Sequence, residues 1–125
     1  MDRNVRVVAE ADLGEAASTP GLTRRVAAEA DDFWFGHVTT EPHTESGWHH
    51  HGDTTTIGYV IEGSVVFEFG SDGSRRVEAG PGEFFVVPPG VVHREGNPTD
   101  QPGAIVLTRV GEGPPVFNVD GPDPA

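Results

Sequence analysis

The sequence predicts an all-β fold, and three observations carry the prediction. Glycine and proline recur densely along the 125 residues, 17 and 11 times. Between them lie short segments rich in Val, Ile, Phe, Tyr and Thr, the residue types that fit a pleated, half-buried surface. Helical periodicity is scarce. Short strands broken by marked turns at such intervals read as a sandwich or barrel.

In chain order, strands are expected over residues 5–8, 23–28, 33–40, 54–61, 64–69, 75–78, 84–87, 104–110 and 116–119. Residues 12–18 offer one helical turn. The stretch 22–30 is mixed: Ala and Arg favour helix, while the alternation of Leu22, Arg24, Val26 and Ala28 favours a strand, and the strand reading is taken. Glu62-Gly63-Ser64 joins two strands, and Gly70-Ser71-Asp72-Gly73 makes a hairpin loop. Gly80-Pro81-Gly82 and Pro88-Pro89-Gly90 end the next two segments, because proline fixes φ and glycine supplies positive φ. The tail, 111–125, carries Pro114, Pro115, Pro122 and Pro124. It should run extended, with residues 116–119 docked on the body and the last few residues loose. No repeat or linker divides the chain, so 1–125 reads as one domain.

Composition excludes several functions. There is no cysteine, hence no disulfide, thiolate metal site or cysteine nucleophile. There is no lysine either, so Schiff-base chemistry is excluded. A net charge of −12 with no basic stripe argues against binding nucleic acid or anionic lipid. No segment reads as a signal peptide or a membrane span, so a soluble cytoplasmic protein is the expectation.

The chemistry gathers on histidine. Three of the six histidines are adjacent in Ser46-Gly47-Trp48-His49-His50-His51-Gly52-Asp53. On an extended backbone side chains alternate faces, so His49 and His51 share one face and His50 takes the other. Two imidazoles so placed can chelate one ion, and neutral imidazole suits Zn, Fe, Ni, Cu and Mn. A third ligand must come from elsewhere, and His93 is the candidate, aimed by the rigid turn Pro88-Pro89-Gly90-Val91-Val92. His37, on the face of Phe33 and Phe35, is a further candidate as pocket acid/base or fourth ligand, set against an ordinary half-exposed histidine. Tyr59, Phe67, Phe84, Phe85 and Trp48 are the aromatic candidates for a pocket, most of them needed simply as core. Arg94 and Glu95 can orient a substrate or pair with each other or a second subunit.

The run from Gly82 to Asn97 matches G-x5-P-x-G-x2-H-x3-N at Gly82, Pro88, Gly90, His93 and Asn97. It resembles the second motif of the cupin superfamily. The first cupin motif, G-x5-H-x-H-x(3,4)-E-x6-G, is met at His49, His51 and Gly63, with Tyr59–Gly63 similar to its usual end. The motif core spans 47–97. Two positions depart: His43 replaces the leading glycine, and the glutamate slot falls on Thr56, or on Thr55 with the shorter spacing. The resemblance implies a cupin double-stranded β-helix, a jelly-roll barrel with the metal ligands inside one end, and a homodimer. Its usual three-His, one-Glu site is here reduced to His49, His51 and His93.

Without the carboxylate, three neutral imidazoles leave a divalent ion its full charge, which favours an anionic or chelating small molecule. Thr56 is expected to hydrogen-bond a bound water. The resemblance implies a metal-dependent dioxygenase of iron type acting on a small organic molecule. The alternatives are a metal-dependent isomerase or lyase, and a non-catalytic ligand-binding or sensing domain. The ion is Fe, Mn, Zn or Ni.

Overall fold

The computed structural model describes residues 3–19 and 21–123. Twelve strands fall in two sheets: β1 (Gly14–Glu15), β2 (Leu22–Ala30), β3 (Phe33–Thr40), β4 (Thr44–Glu45), β5 (His49–His50), β6 (Thr55–Glu62), β7 (Val65–Phe69), β8 (Arg75–Ala79), β9 (Phe84–Val87), β10 (His93–Asn97), β11 (Gly103–Val110) and β12 (Phe117–Asn118). One sheet runs β1-β2-β3-β11-β6-β9. The other runs β12-β5-β10-β7-β8, with β4 also on β10. Every strand pair is antiparallel. The architecture is the all-β double-stranded β-helix that the motifs implied.

Alternation along the strands builds the core. Val38 on β3, Val60 on β6, Val65 and Phe67 on β7, Val87 on β9, and Ile105 and Leu107 on β11 close on one another between the sheets. Residues directly paired across antiparallel strands share a face. Leu107 pairs Gly36 and Gly58, and Ile105 pairs Val38 and Val60, so one inner row crosses three strands. Gly58 is needed in that row because a Cβ there would lie 2.2 Å from the Phe85 ring. Gly63 turns β6 into β7 with φ +77°, and a Cβ would press 2.7 Å from the Gly103 Cα.

The expected strands 33–40 and 84–87 coincide with β3 and β9, and residues 22–30 form β2 throughout. Three expectations need correcting. Residues 5–8 are not a strand: Val5 and Val7 are exposed, with no neighbouring strand to pair. The helical turn at 12–18 is instead a short 3-10 turn over Glu10–Asp12 followed by β1. The docked tail segment shortens to β12. Strand β10 was not foreseen, since Arg-Glu-Gly-Asn lacks β-branched and aromatic residues. The tail end at Pro124 and Ala125 lies outside the described residues. Among the described residues, no helix is long and apolar enough to cross a membrane.

Candidate metal centre

Three strand ends carry the histidines to one point. His49 on β5 is paired in register with His93 on β10 and with Asn118 on β12. His51 follows β5 directly. The ring centroids of His49 and His93 lie 4.4 Å apart, and each is 5.1 Å from His51. One ligand atom from each of the three lies within 4.8 Å of the others, and all three side chains are buried.

The backbone sets their tautomers. The Nδ1 atoms of His49, His51 and His93 meet the carbonyl oxygens of Gly47 at 2.8 Å, Pro115 at 2.8 Å and Val91 at 2.9 Å. A carbonyl only accepts, so each Nδ1 carries the hydrogen, and each neutral ring offers its Nε2 lone pair. Buried lone pairs without donors are costly. The His93 Nε2 is buried and has no hydrogen-bond partner among the described residues. Such a donor set fits a divalent cation with bonds of about 2.1 Å. The proline-rich tail acquires a purpose here, since its Pro115 carbonyl orients His51.

A carboxylate joins the group. His93, Glu95 and Asn97 project from one face of β10, as alternation requires. The Glu95 Oε1 lies 3.6 Å from the His49 Nε2. Burial alone would lower the His49 pKa, but the nearby Glu95 carboxylate outweighs it and raises the value. Burial takes His51 down to about 4, assisted by its imidazole neighbours, and lowers His93 as well. Burial would raise Glu95, but its contact with His49 and the charges of the surrounding imidazoles hold it below the usual carboxylate range. The metal-free site thus favours neutral His51 and His93, and it favours a charged His49 beside an ionised Glu95.

The remaining candidates divide by face. Thr56 lies on the inner face of β6, buried, with its hydroxyl unpartnered among the described residues. His50 points away from the group: its ring stacks on Phe117 at 4.9 Å, and its Nδ1 accepts from the Gly52 N–H. Phe67 and Phe85 pack together inside, and Phe67 lies 6.1 Å from His93. His37 and Tyr59 are corrected. Both fall on the outer face of their sheet, because Val38 and Val60 beside them take the inner one. Tyr59 packs there on Phe84, and His37 is outside the histidine group. Arg94 is corrected too. It lies on the outer face of β10, bound to Glu68 at 2.9 Å and Glu45 at 3.4 Å, over the Trp48 ring. His43 is exposed and contacts Asp100.

Asn97, the last motif position, is structural. Fully buried, its Nδ2 donates to the Gln101 carbonyl and its Oδ1 accepts from the Thr99 N–H and hydroxyl. These bonds tie the loop that leads from β10 to β11.

Sequence reasoning missed three residues around the histidines: Glu95 as a neighbour of His49, and Arg24 and Arg109 inside the barrel mouth. Two signals were present. Glu95 stands two residues after His93, and each arginine continues an alternation of apolar inner positions.

The family model for the cupin domain matches residues 36–109. The germin-like protein subfamily T member 3 of Arabidopsis thaliana is 45% identical over 51 residues, 39% of this chain and 22% of that protein. The chain thus matches about a fifth of that relative's length. The polyketide cyclase RemF of Streptomyces resistomycificus is similar at a TM-score of 0.78 and 26% identity, over 94% of this chain and 87% of that one. An oxalate decarboxylase of Bacillus subtilis, with Mn(II) centres, gives a TM-score of 0.70 at 22% identity over 85% of this chain and 30% of that one. A Klebsiella pneumoniae protein with a double-stranded β-helix domain gives 0.74 at 19% identity, over 94% and 99%. At these two lower identities the likeness is one of fold.

Proposed function

The chain belongs to the cupin domain family, and from that premise we propose that it is a metal-dependent enzyme acting on a small organic molecule. His49, His51 and His93 would hold the ion, with Glu95 beside them as a fourth donor. One observation carries the reading: three buried histidines, each with its Nδ1 bound to a backbone carbonyl, bring one ligand atom apiece within 4.8 Å of the others. A divalent ion there would supply Lewis-acid chemistry, or redox chemistry if it is iron.

The first reading is an iron-type dioxygenase. The chain's residues would present the substrate in the cavity beside the histidines. A second reading is redox-neutral, an isomerase, lyase or cyclase. The likeness to a polyketide cyclase over most of both chains favours it. The test loads the protein separately with Fe(II), Mn(II) and Zn(II) and follows O₂ uptake and product formation on a panel of diketones, phenols and thiols. O₂ consumption with iron alone supports the dioxygenase. Turnover with zinc and no O₂ uptake supports the second reading. Ligand binding without turnover by any of the three would leave a binding or sensing domain.

A second copy of this chain is the proposed partner. The outer face of the six-stranded sheet presents Ile57, Tyr59, Phe84 and Val86, the last two 78% and 63% exposed. Sedimentation of the wild type and of Phe84→Glu tests this: a dimer that becomes a monomer in the variant is expected, and a monomeric wild type refutes it.

A further inference from the structure

The inner row of the six-stranded sheet changes character near the histidines. Arg109 on β11 pairs in register with Thr56 on β6 and Trp34 on β3. Arg24 on β2 pairs with Val38, a core residue. Partners across a strand pair share a face, so both arginines project into the barrel. The position where the family motif carries a glutamate therefore holds a threonine with an arginine beside it.

These groups are short of partners. The Arg109 Nε and the Thr56 Oγ1 are both buried and have no hydrogen-bond partner among the described residues. The Arg24 guanidinium has a 3.4 Å contact to the Thr19 hydroxyl. Glu95 is close enough for Arg109 to feel its charge, yet neither arginine forms an ion pair among the described residues. Burial, with the like charge of Arg24, pulls the Arg109 pKa below its usual range. Two half-buried guanidiniums facing one space carry a desolvation and repulsion cost that an anion between them would offset.

The two arginines also share a cavity with His49 and His51, and Thr56 lines an adjoining space with both arginines and His51. An open space of about 850 Å³ is bordered by Arg24, Trp34, His49, His51, Glu95 and Arg109. That is the size range of a small-molecule site. Its rim carries the exposed carboxylates of Glu15, Glu29, Asp31 and Glu45. These are solvated and screened over about 8 Å at physiological salt, and they discourage polyanions more than a small acid.

We propose that Arg24 and Arg109, with the Thr56 hydroxyl, form an anion subsite, so that the cavity takes a small organic acid whose carboxylate lies against the arginines while its other oxygens face the histidine group on the side of His49 and His51. The inference rests on the metal reading above and narrows its substrate class. Arginine suits the role because its planar fork binds a carboxylate through two parallel hydrogen bonds.

The test uses Co(II)-loaded protein, whose visible absorption reports chelation. The probes are 2-oxobutanoate, which chelates but has no second carboxylate, and 2-oxoglutarate and 2-oxoadipate, which have one at two reaches. One of the dicarboxylates should bind at least tenfold more tightly than 2-oxobutanoate. Arg109→Gln and Arg24→Gln should each bring that ratio close to one, leave 2-oxobutanoate binding within about threefold, and keep one cobalt per chain. Arg109→Lys should restore part of the ratio. Equal binding of all three acids by wild type overturns the subsite, and so does a ratio that survives both glutamine variants. Failure of the metal reading shows separately, as absence of cobalt uptake by wild type. In that case calorimetry of metal-free protein with glutarate decides: binding lost in both glutamine variants supports the subsite, and no binding to wild type overturns it.

Discussion

Two strands face each other across the mouth of the barrel, and they are built oppositely. The inner positions of β6 are Thr56, Gly58 and Val60, an apolar row with one small polar residue. The inner positions of β10 are His93, Glu95 and Asn97, polar throughout. In the motif this chain resembles, the acidic ligand belongs on the first of these strands. Here that slot holds Thr56 with Arg109 beside it, while a carboxylate stands on β10 within 3.6 Å of His49. The difference teaches that a motif position can lose its chemistry while the cavity keeps it. One wall exchanges an acid for a base, and the other carries both histidine and acid.

The strongest way to break the comparison is on β10. His93 is 1% exposed and sits between the two other imidazoles. His93→Ala should lower bound divalent metal well below one per chain, because it leaves two imidazoles and the Glu95 carboxylate where four donors stood. His49→Ala and His51→Ala should do the same. Elemental analysis after dialysis checks all three, and full retention in any two would sink the ligand set.

Acid probes the same wall without mutation. In metal-free protein, burial lowers His51 to about 4 from 6.5. The unfolded chain then binds the proton more readily, so stability present above pH 6.5 is lost as pH falls toward 4. His93, also lowered, acts in the same direction. Glu95, lowered from 4.5, adds a loss as pH falls below that value. His49 opposes them, since its raised pKa gives stability below pH 6.5 that disappears as pH rises through the raised value. The shift at His51 alone corresponds to about 3 kcal/mol. Urea unfolding of metal-free protein should therefore show a falling midpoint between pH 6.5 and 4, largely abolished by saturating Zn(II) at the upper end. A flat profile would mean that the imidazoles are hydrated.

Glu95→Gln sharpens the contrast between the walls. Losing the charge removes what raises His49, so the His49 pKa should fall in a metal-free NMR titration. Affinity for Mn(II), a hard ion that favours carboxylate, should fall about tenfold or more. Unchanged His49 titration together with unchanged Mn(II) affinity would place Glu95 outside the site.

Much of this was legible in the sequence, and the limits have physical causes. Alternation in 33–40 and 104–110, bounded by glycine and proline, marks strands because both periodicity and turn chemistry agree there. His49, His51 and His93 were found because motif spacing and same-face geometry agree. Strand β10 was hidden because its residues have poor strand propensity, and its pairing with β5 and β7 overrides that preference. Once β10 was missed, so was Glu95's place on the face of His93. Tyr59 was proposed by residue type, and His37 was put correctly on the face of Phe33 and Phe35, but which face is the inner one is decided by register, and Val60 and Val38 claim the interior. Arg24 and Arg109 look like ordinary surface charges until the sheet is closed.

The smallest expected effect concerns the histidine that does not take part. His50 lies between two residues that should be ligands, and alternation turns it away from them. Its ring stacks on Phe117 with an interplanar angle of 10°, and its Nδ1 accepts from the Gly52 N–H at 3.1 Å. Both contacts hold the tail strand β12 and the turn after His51 in place. His50→Ala should leave metal content at one per chain and cost about 1 kcal/mol from the lost stacking and hydrogen bond. The Pro115 carbonyl that orients His51 belongs to the same tail, so a modest loosening of metal affinity, within a few-fold, is the most the substitution should cause. Thermal unfolding and elemental analysis read the two quantities independently. If His50→Ala empties the site while His49→Ala or His51→Ala does not, the register of this strand is off by one residue.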